Sequence, residues 1–160
     1  MLDPPAVIAA LEACGLTHVV WIPDSHLGTW EPALLSSTIH LIRATREGEV
    51  IGIAGGLLLG GAKPLVVIQC TGLFEAGDAL RNIVHDLHLP LLLLVGVRSY
   101  LAHQAGQTND NCPVFTEPML RTWQIPYTII DPTRQSATEL IAALRQLQRS
   151  GNAGAILWAE

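Results

Sequence analysis

The sequence predicts an α/β fold: a doubly wound, mainly parallel sheet of about six strands with helices on both faces. Three observations lead there. Apolar, β-branched runs alternate with helical segments along the whole chain, in a repeated strand–helix order. Several of these runs, above all Leu89 to Val97, are apolar at nearly every position, as strands buried on both sides of a parallel sheet must be. The 160 residues suffice for one domain, 1–160, with a proper core, and leave no room for a second.

The elements follow in order. Pro4 and Pro5 stand where a helix can begin, and Val7, Ile8 and Leu11 before Gly15 make it short and amphipathic. His18 to Ile22 is a strand, cut off by the turn cluster Pro23-Asp24-Ser25, whose Asp or Ser can cap the next segment. A short helix from about Thr29 to Leu35 and a strand from Ile39 to Ala44 come next. From Arg46 the pattern becomes EGEVIGIAGGLLLGGAK, a helix apolar on nearly every side that should therefore be buried. Each glycine in a helix costs up to about 1 kcal/mol, so Gly52, Gly55 and Gly56 beside Ala54 imply another backbone packed very close. Leu65 to Gln69 is a third strand, Thr71-Gly72-Leu73 opens a helix through about Leu87, and Leu89 to Val97 is a fourth strand. The stretch from Arg98 to Cys112 has no apolar period and reads as a long loop, a length that usually marks function or mobility. Pro113 to Gln124 reads as a helix, Tyr127 to Ile130 as a strand, Thr138 to Arg149 as an amphipathic helix and Ala155 to Trp158 as the last strand.

Composition removes several function classes. A formal charge of -5 offers no basic field for phosphate backbones, which argues against nucleic acid. Charged residues are 14%, against roughly 25% in an average soluble protein, so part of the surface is expected to be covered by an interface. Cys14, Cys70 and Cys112 are odd in number and lack a CxxC spacing, as in a reduced intracellular protein. The N-terminus lacks the basic region of a signal peptide, and the longest apolar runs are about half a membrane span, so a cytoplasmic protein without membrane attachment is expected.

Some motifs are decoys. GGLLLGGAK lacks the Ser or Thr after Lys63 that a phosphate-binding loop needs, and it ends a helix instead of starting one. Gly52 to Gly56 lacks the GxGxxG spacing of a dinucleotide site. His85 and His88 have no third ligand nearby, so no metal ligands are assigned. Cys70 has no identifiable base and reads as a packed thiol.

In such sheets ligands collect at the carboxyl ends of strands, which directs attention to PDSH, TREGE, QCTG and the loop after Val97. Glu47 stands out, because it follows a strand and opens the most apolar helix. Burial would raise its pKa, whereas a helix N-terminus favours the anion. On physical grounds alone, simple helix-end electrostatics shared with Glu49 accounts for it better than catalysis does.

Family resemblance separates these readings. Arg46-Glu47-Gly48-Glu49-Val50-Ile51-Gly52-Ile53-Ala54-Gly55-Gly56 resembles the "NEGNAVALAAG" segment of thiamine-diphosphate-dependent 2-oxo acid decarboxylases. Trp21 to Leu27 resembles their "GVPDSLL" loop, Ile68-Gln69-Cys70-Thr71-Gly72-Leu73 their "MQNSGLG" segment, and Pro90 to Val97 their "PMLLLIG" strand, all in the family's order. The resemblance covers nearly the whole chain and lies with the pyrimidine-binding half, most similar to the sulfopyruvate decarboxylase alpha subunit and phosphonopyruvate decarboxylase branch.

It implies that Glu47 is catalytic and hydrogen-bonds N1′ of the cofactor's aminopyrimidine, favouring the imino tautomer that removes the thiazolium C2 proton. It further implies that Pro23, Thr71, Gly72 and Leu73 line the cofactor and that Ser25, His26, Arg98 and His103 face a small anionic 2-oxo acid. The family's "RGEPG" loop is replaced by Arg98-Ser99-Tyr100-Leu101-Ala102-His103-Gln104, so His103 either reaches the site or caps the loop. The GDG motif that holds Mg2+ and the diphosphate is absent, which implies a pyrophosphate-binding beta subunit as partner in a hetero-oligomer, with homo-oligomerisation as a further possibility. The competing reading is a non-catalytic binding or scaffold module that retains the fold.

Overall fold

The computed structural model describes residues 2–160 and has the α/β architecture that the alternation of strand and helix segments predicts. Six strands, β1 (His18–Trp21), β2 (His40–Arg43), β3 (Pro64–Gln69), β4 (Leu92–Val97), β5 (Tyr127–Ile130) and β6 (Gly154–Ala159), form one sheet in the order β2-β1-β3-β4-β6-β5. Every pairing is parallel, with register Val20↔Ile42, Val20↔Val66, Leu94↔Ile156 and Ile129↔Leu157 among others. The chain turns to opposite sides of β1 to make β2 and β3, so the crevice where ligands collect in such sheets falls beside β1 and β3.

Alternation along each strand builds two cores. Leu65, Val67, Leu92, Leu94 and Ile156 face α1 (Pro4–Ala13) and α8 (Ala137–Ser150). Val66, Ile68, Leu93, Val95 and Leu157 face α3 (Glu47–Leu59), α4 (Cys70–Glu75) and α7 (Cys112–Thr122). Leu65 to Ile68 and Leu93 to Val95 are fully buried, which is why these strands carry no polar face.

Helix ends are set by local chemistry. Asp3 accepts the Ala6 amide at 2.9 Å ahead of Pro4, and Ser136 with Glu139 forms a reciprocal capping box at the start of α8. α8 ends at Gly151, whose φ of 67° is left-handed and suits glycine. Ser136→Ala is expected to cost about 0.5 to 2 kcal/mol. A urea denaturation midpoint equal to that of the unmodified chain would contradict that expectation.

Four sequence expectations are corrected. The helix expected through Leu87 is broken into α4, the short α5 (Gly77–Leu80) and a wide π-turn at Arg81–Asp86. The strand expected from Leu89 starts only at Leu92, because Pro90 has no N–H to pair. The expected loop from Arg98 to Cys112 contains a short helix, α6 (Tyr100–Gln104), anchored by the buried Tyr100. Lastly, α3 is buried along one side only. A Cβ on Gly55 would meet Ile83 at 2.7 Å, so close packing explains that glycine, whereas Gly52 and Gly56 are exposed and nothing lies within 4 Å of their Cβ positions. Among the described residues no backbone packs on them. None of the described helices is long and apolar enough to cross a membrane.

Candidate functional site

Parallel strands bring their carboxyl ends to one edge, and the segments of interest meet there. Pro23 to His26 follow β1, Thr45 to Glu47 follow β2, Cys70 to Leu73 follow β3, Arg98 follows β4 and Glu160 follows β6. They divide between the two sides of the sheet. α3 and α4 carry Glu47 and Gly72 on one side. On the other, Gly96 lies in phase with Leu92 and Leu94 and faces Leu27, Asp24 and Glu160.

Glu47 is half-buried at the first position of α3, where the helix dipole favours a negative charge. Its neighbours are tied down and it is not. Arg46 pairs with Glu75 at 3.1 Å, and the Gly48 amide donates to the same carboxylate at 3.0 Å. Glu49 accepts from the Thr45 amide at 3.2 Å. Among the described residues Glu47 has no hydrogen-bond partner, so its carboxylate is free to meet a ligand. Gly72 makes the room: a Cβ there would stand 2.5 Å from Glu47 Cγ and 2.7 Å from Oε1. An uncommitted carboxylate lodged against a glycine fits the ring nitrogen of a heteroaromatic cofactor.

On the other side lies a cleft of about 760 Å³ whose lining includes Ser25, His26, Gln69, Arg98 and Glu160. Asp24 shapes its near wall, because Oδ1 accepts the His26 and Leu27 amides, both at 2.7 Å. The Arg98 guanidinium donates from Nε to Asp110 at 2.8 Å and from Nη2 to Cys112 Sγ at 3.2 Å, which leaves Nη1 for an anion. Glu160 is pushed up to about 7, chiefly by burial and next by the Asp24 charge, with Arg98 opposing.

The candidates named from sequence are thus separated as well as gathered. Glu47 and Gly72 touch, with Thr71 exposed beside them; Ser25, His26 and Arg98 share the cleft. Pro23 is exposed at the rim, and Leu73 is fully buried in the core beneath, where its side chain reaches no open surface. His103 is exposed on α6, outside the cleft lining. Cys70 is the packed thiol expected, raised to about 11 by burial and then by Cys112. His85 bonds the Trp123 carbonyl oxygen at 2.7 Å, and no group of three or more metal-ligating side chains forms among the described residues. Two residues escaped the sequence reading. Asp24 was legible only as a turn cap, and Glu160 had a signal in its place directly after the last apolar strand.

Comparison with known proteins gives the family and the shared fold. Residues 5–114 match the family model described as thiamine pyrophosphate enzyme, N-terminal TPP binding domain. Sulfopyruvate decarboxylase subunit alpha of Methanococcus maripaludis is 30% identical over 125 residues, covering 76% of this chain and 73% of that protein. Phosphonopyruvate decarboxylase of Streptomyces viridochromogenes is 23% identical over 91% of this chain, which spans only 37% of that protein. The solved structure of benzoylformate decarboxylase from Polynucleobacter necessarius superposes with a TM-score of 0.71 at 20% identity, over 99% of this chain and 30% of its own, and shows the shared fold.

Proposed function

The chain belongs to the thiamine pyrophosphate enzyme family through its N-terminal TPP-binding domain, and from that premise we propose that it is the pyrimidine-binding component of a two-chain decarboxylase. Its substrate is a small anionic 2-oxo acid of the sulfopyruvate or phosphonopyruvate type. Thiamine diphosphate is the cofactor, and a pyrophosphate-binding beta subunit supplies Mg2+ and the rest of the site. The observation that carries this reading is the uncommitted Glu47 carboxylate against Gly72 at the start of α3. The two-chain arrangement is supported by the similarity to a protein named subunit alpha, of which the match covers 73%.

When bound, thiamine diphosphate supplies the electron sink that loss of carbon dioxide from a 2-oxo acid requires. This chain's residues supply position and protons. From its place at the first position of α3, Glu47 would share a proton with the pyrimidine nitrogen of the bound cofactor. Glu75 takes the Gly48 amide, so that amide does not compete for Glu47. Ser25 and Arg98 line the cleft and would donate to the anionic end of the substrate.

Calorimetry tests the split site. Thiamine diphosphate with Mg2+ titrated into the chain alone is expected to bind weakly, and the same titration into chain plus beta subunit is expected to bind tightly. Tight binding by the lone chain would contradict the two-chain reading.

A further inference from the structure

Two carboxylate oxygens at the cleft are buried and unpartnered. Asp24 Oδ2 and Glu160 Oε1 have no hydrogen-bond partner, although buried polar atoms almost always find one. Both lie over Gly96, where an added Cβ would stand 2.7 Å from Glu160 Oε1 and 3.4 Å from Asp24 Oδ2, and the Asp24 charge acts on Glu160. Both are acceptors when ionised, and neither can satisfy the other unless one holds a proton. We propose that Asp24 and Glu160 form a proton-sharing carboxyl pair that serves as the acid of this cleft, donating to an oxygen of the small oxo acid bound there. The ligand class rests on the proposed function; the proton sharing does not.

The surroundings decide which member holds the proton. Asp24 Oδ1 already accepts two backbone amides, and its charge bears on Glu160, the member whose carboxyl is raised and holds the proton. Glu160 has no side-chain donor and sits at the end of β6 beside that charge. Burial and Asp24 together place its titration at about 7, where an acid works efficiently near neutral pH. The other charged groups at this edge leave that assignment standing. Arg98 is drawn to Asp110, His26 is exposed at the rim, His103 lies outside the lining, and Asp131 and Arg134 beyond α6 pair with each other at 3.7 Å. In the step, the Glu160 O–H bond breaks, an O–H bond forms on the ligand oxygen and the electron pair stays on the Glu160 carboxylate. Solvent then returns the proton. An unprotonated pair would also repel an anionic ligand, so occupancy of the cleft is tied to the same proton.

The test is carbon-detected NMR on the full chain carrying [δ-13C]glutamate. Glu160 is expected to titrate with a midpoint near 7, and Asp24→Asn is expected to move that midpoint downward. A midpoint in the ordinary carboxyl range, or one indifferent to Asp24→Asn, would overturn the pair. Thermal denaturation gives a second reading should Asp24→Asn fold poorly. A carboxyl raised in the folded state contributes stability that is full below its unfolded value and lost as pH rises through about 7, and Glu160→Gln should remove that loss. The unmodified slope persisting in Glu160→Gln would contradict the proposal. In the complete complex, Glu160→Gln should lower turnover at unchanged cofactor affinity, and unchanged turnover would overturn the catalytic role. The NMR arm does not depend on decarboxylation, so a pair titrating near 7 in a complex that releases no carbon dioxide would overturn the proposed function and leave the pair standing.

Discussion

Glu47→Gln is expected to lower turnover of the complete complex by at least about 100-fold, the lower size of an acid–base contribution. The substitution keeps the shape of the side chain and replaces the oxygen that, on the proposed function, shares a proton with the cofactor ring. Fold and cofactor affinity should change little, because Glu47 bonds nothing else among the described residues. The effect is read in carbon dioxide release and in exchange of the cofactor's C2 proton. Glu49→Gln is the control. That carboxylate sits in the same first helical turn but is spent on Thr45, so its loss should cost only about 0.3 to 1 kcal/mol of helix-end electrostatics. Equal, small effects of both substitutions would leave helix-end electrostatics as the explanation of Glu47.

The second large effect is expected at Gly72→Ala. Its added methyl would stand 2.5 Å from Glu47 Cγ, 2.7 Å from Oε1 and 3.0 Å from Cδ, so Glu47 must swing away. The contacts are with a flexible side chain, and alanine is the better helix former in α4 by up to about 1 kcal/mol. Stability and activity should therefore separate: the unfolding free energy from urea denaturation stays within about 1 kcal/mol of the original, while turnover falls nearly as far as in Glu47→Gln. Full activity in Gly72→Ala would show that the position of Glu47 does not matter to the reaction.

The sheet was legible because parallel strands buried on both faces have no polar alternation to blur them, and Leu89 to Val97 shows this plainly. Strand order followed only from the structure. The start of α3 was legible from the change of pattern at Arg46, and α8 from its amphipathic pattern. The breaks after Glu75 and Leu80 were not, because Gly77 alone is a weak signal inside an otherwise helical pattern. Small residues on α3 were read as a single packing surface, but composition does not tell which side of a helix meets its own chain. Gly55 meets Ile83, while Gly52 and Gly56 face outward. At the site, the turn residues and Glu47 were marked by their place after strands. The Asp24–Glu160 pair joins residues at opposite ends of the chain, and only the meeting of β1, β4 and β6 at one edge brings them together.

The most direct measurement of the central claim is carbon dioxide release from sulfopyruvate and phosphonopyruvate, with thiamine diphosphate and Mg2+ present, by the chain alone, by the beta subunit alone and by their mixture. The account predicts release from at least one of the two acids by the mixture and none by either chain alone. Release by this chain without a partner, or none by a mixture that forms a stable complex and binds the cofactor, would contradict it.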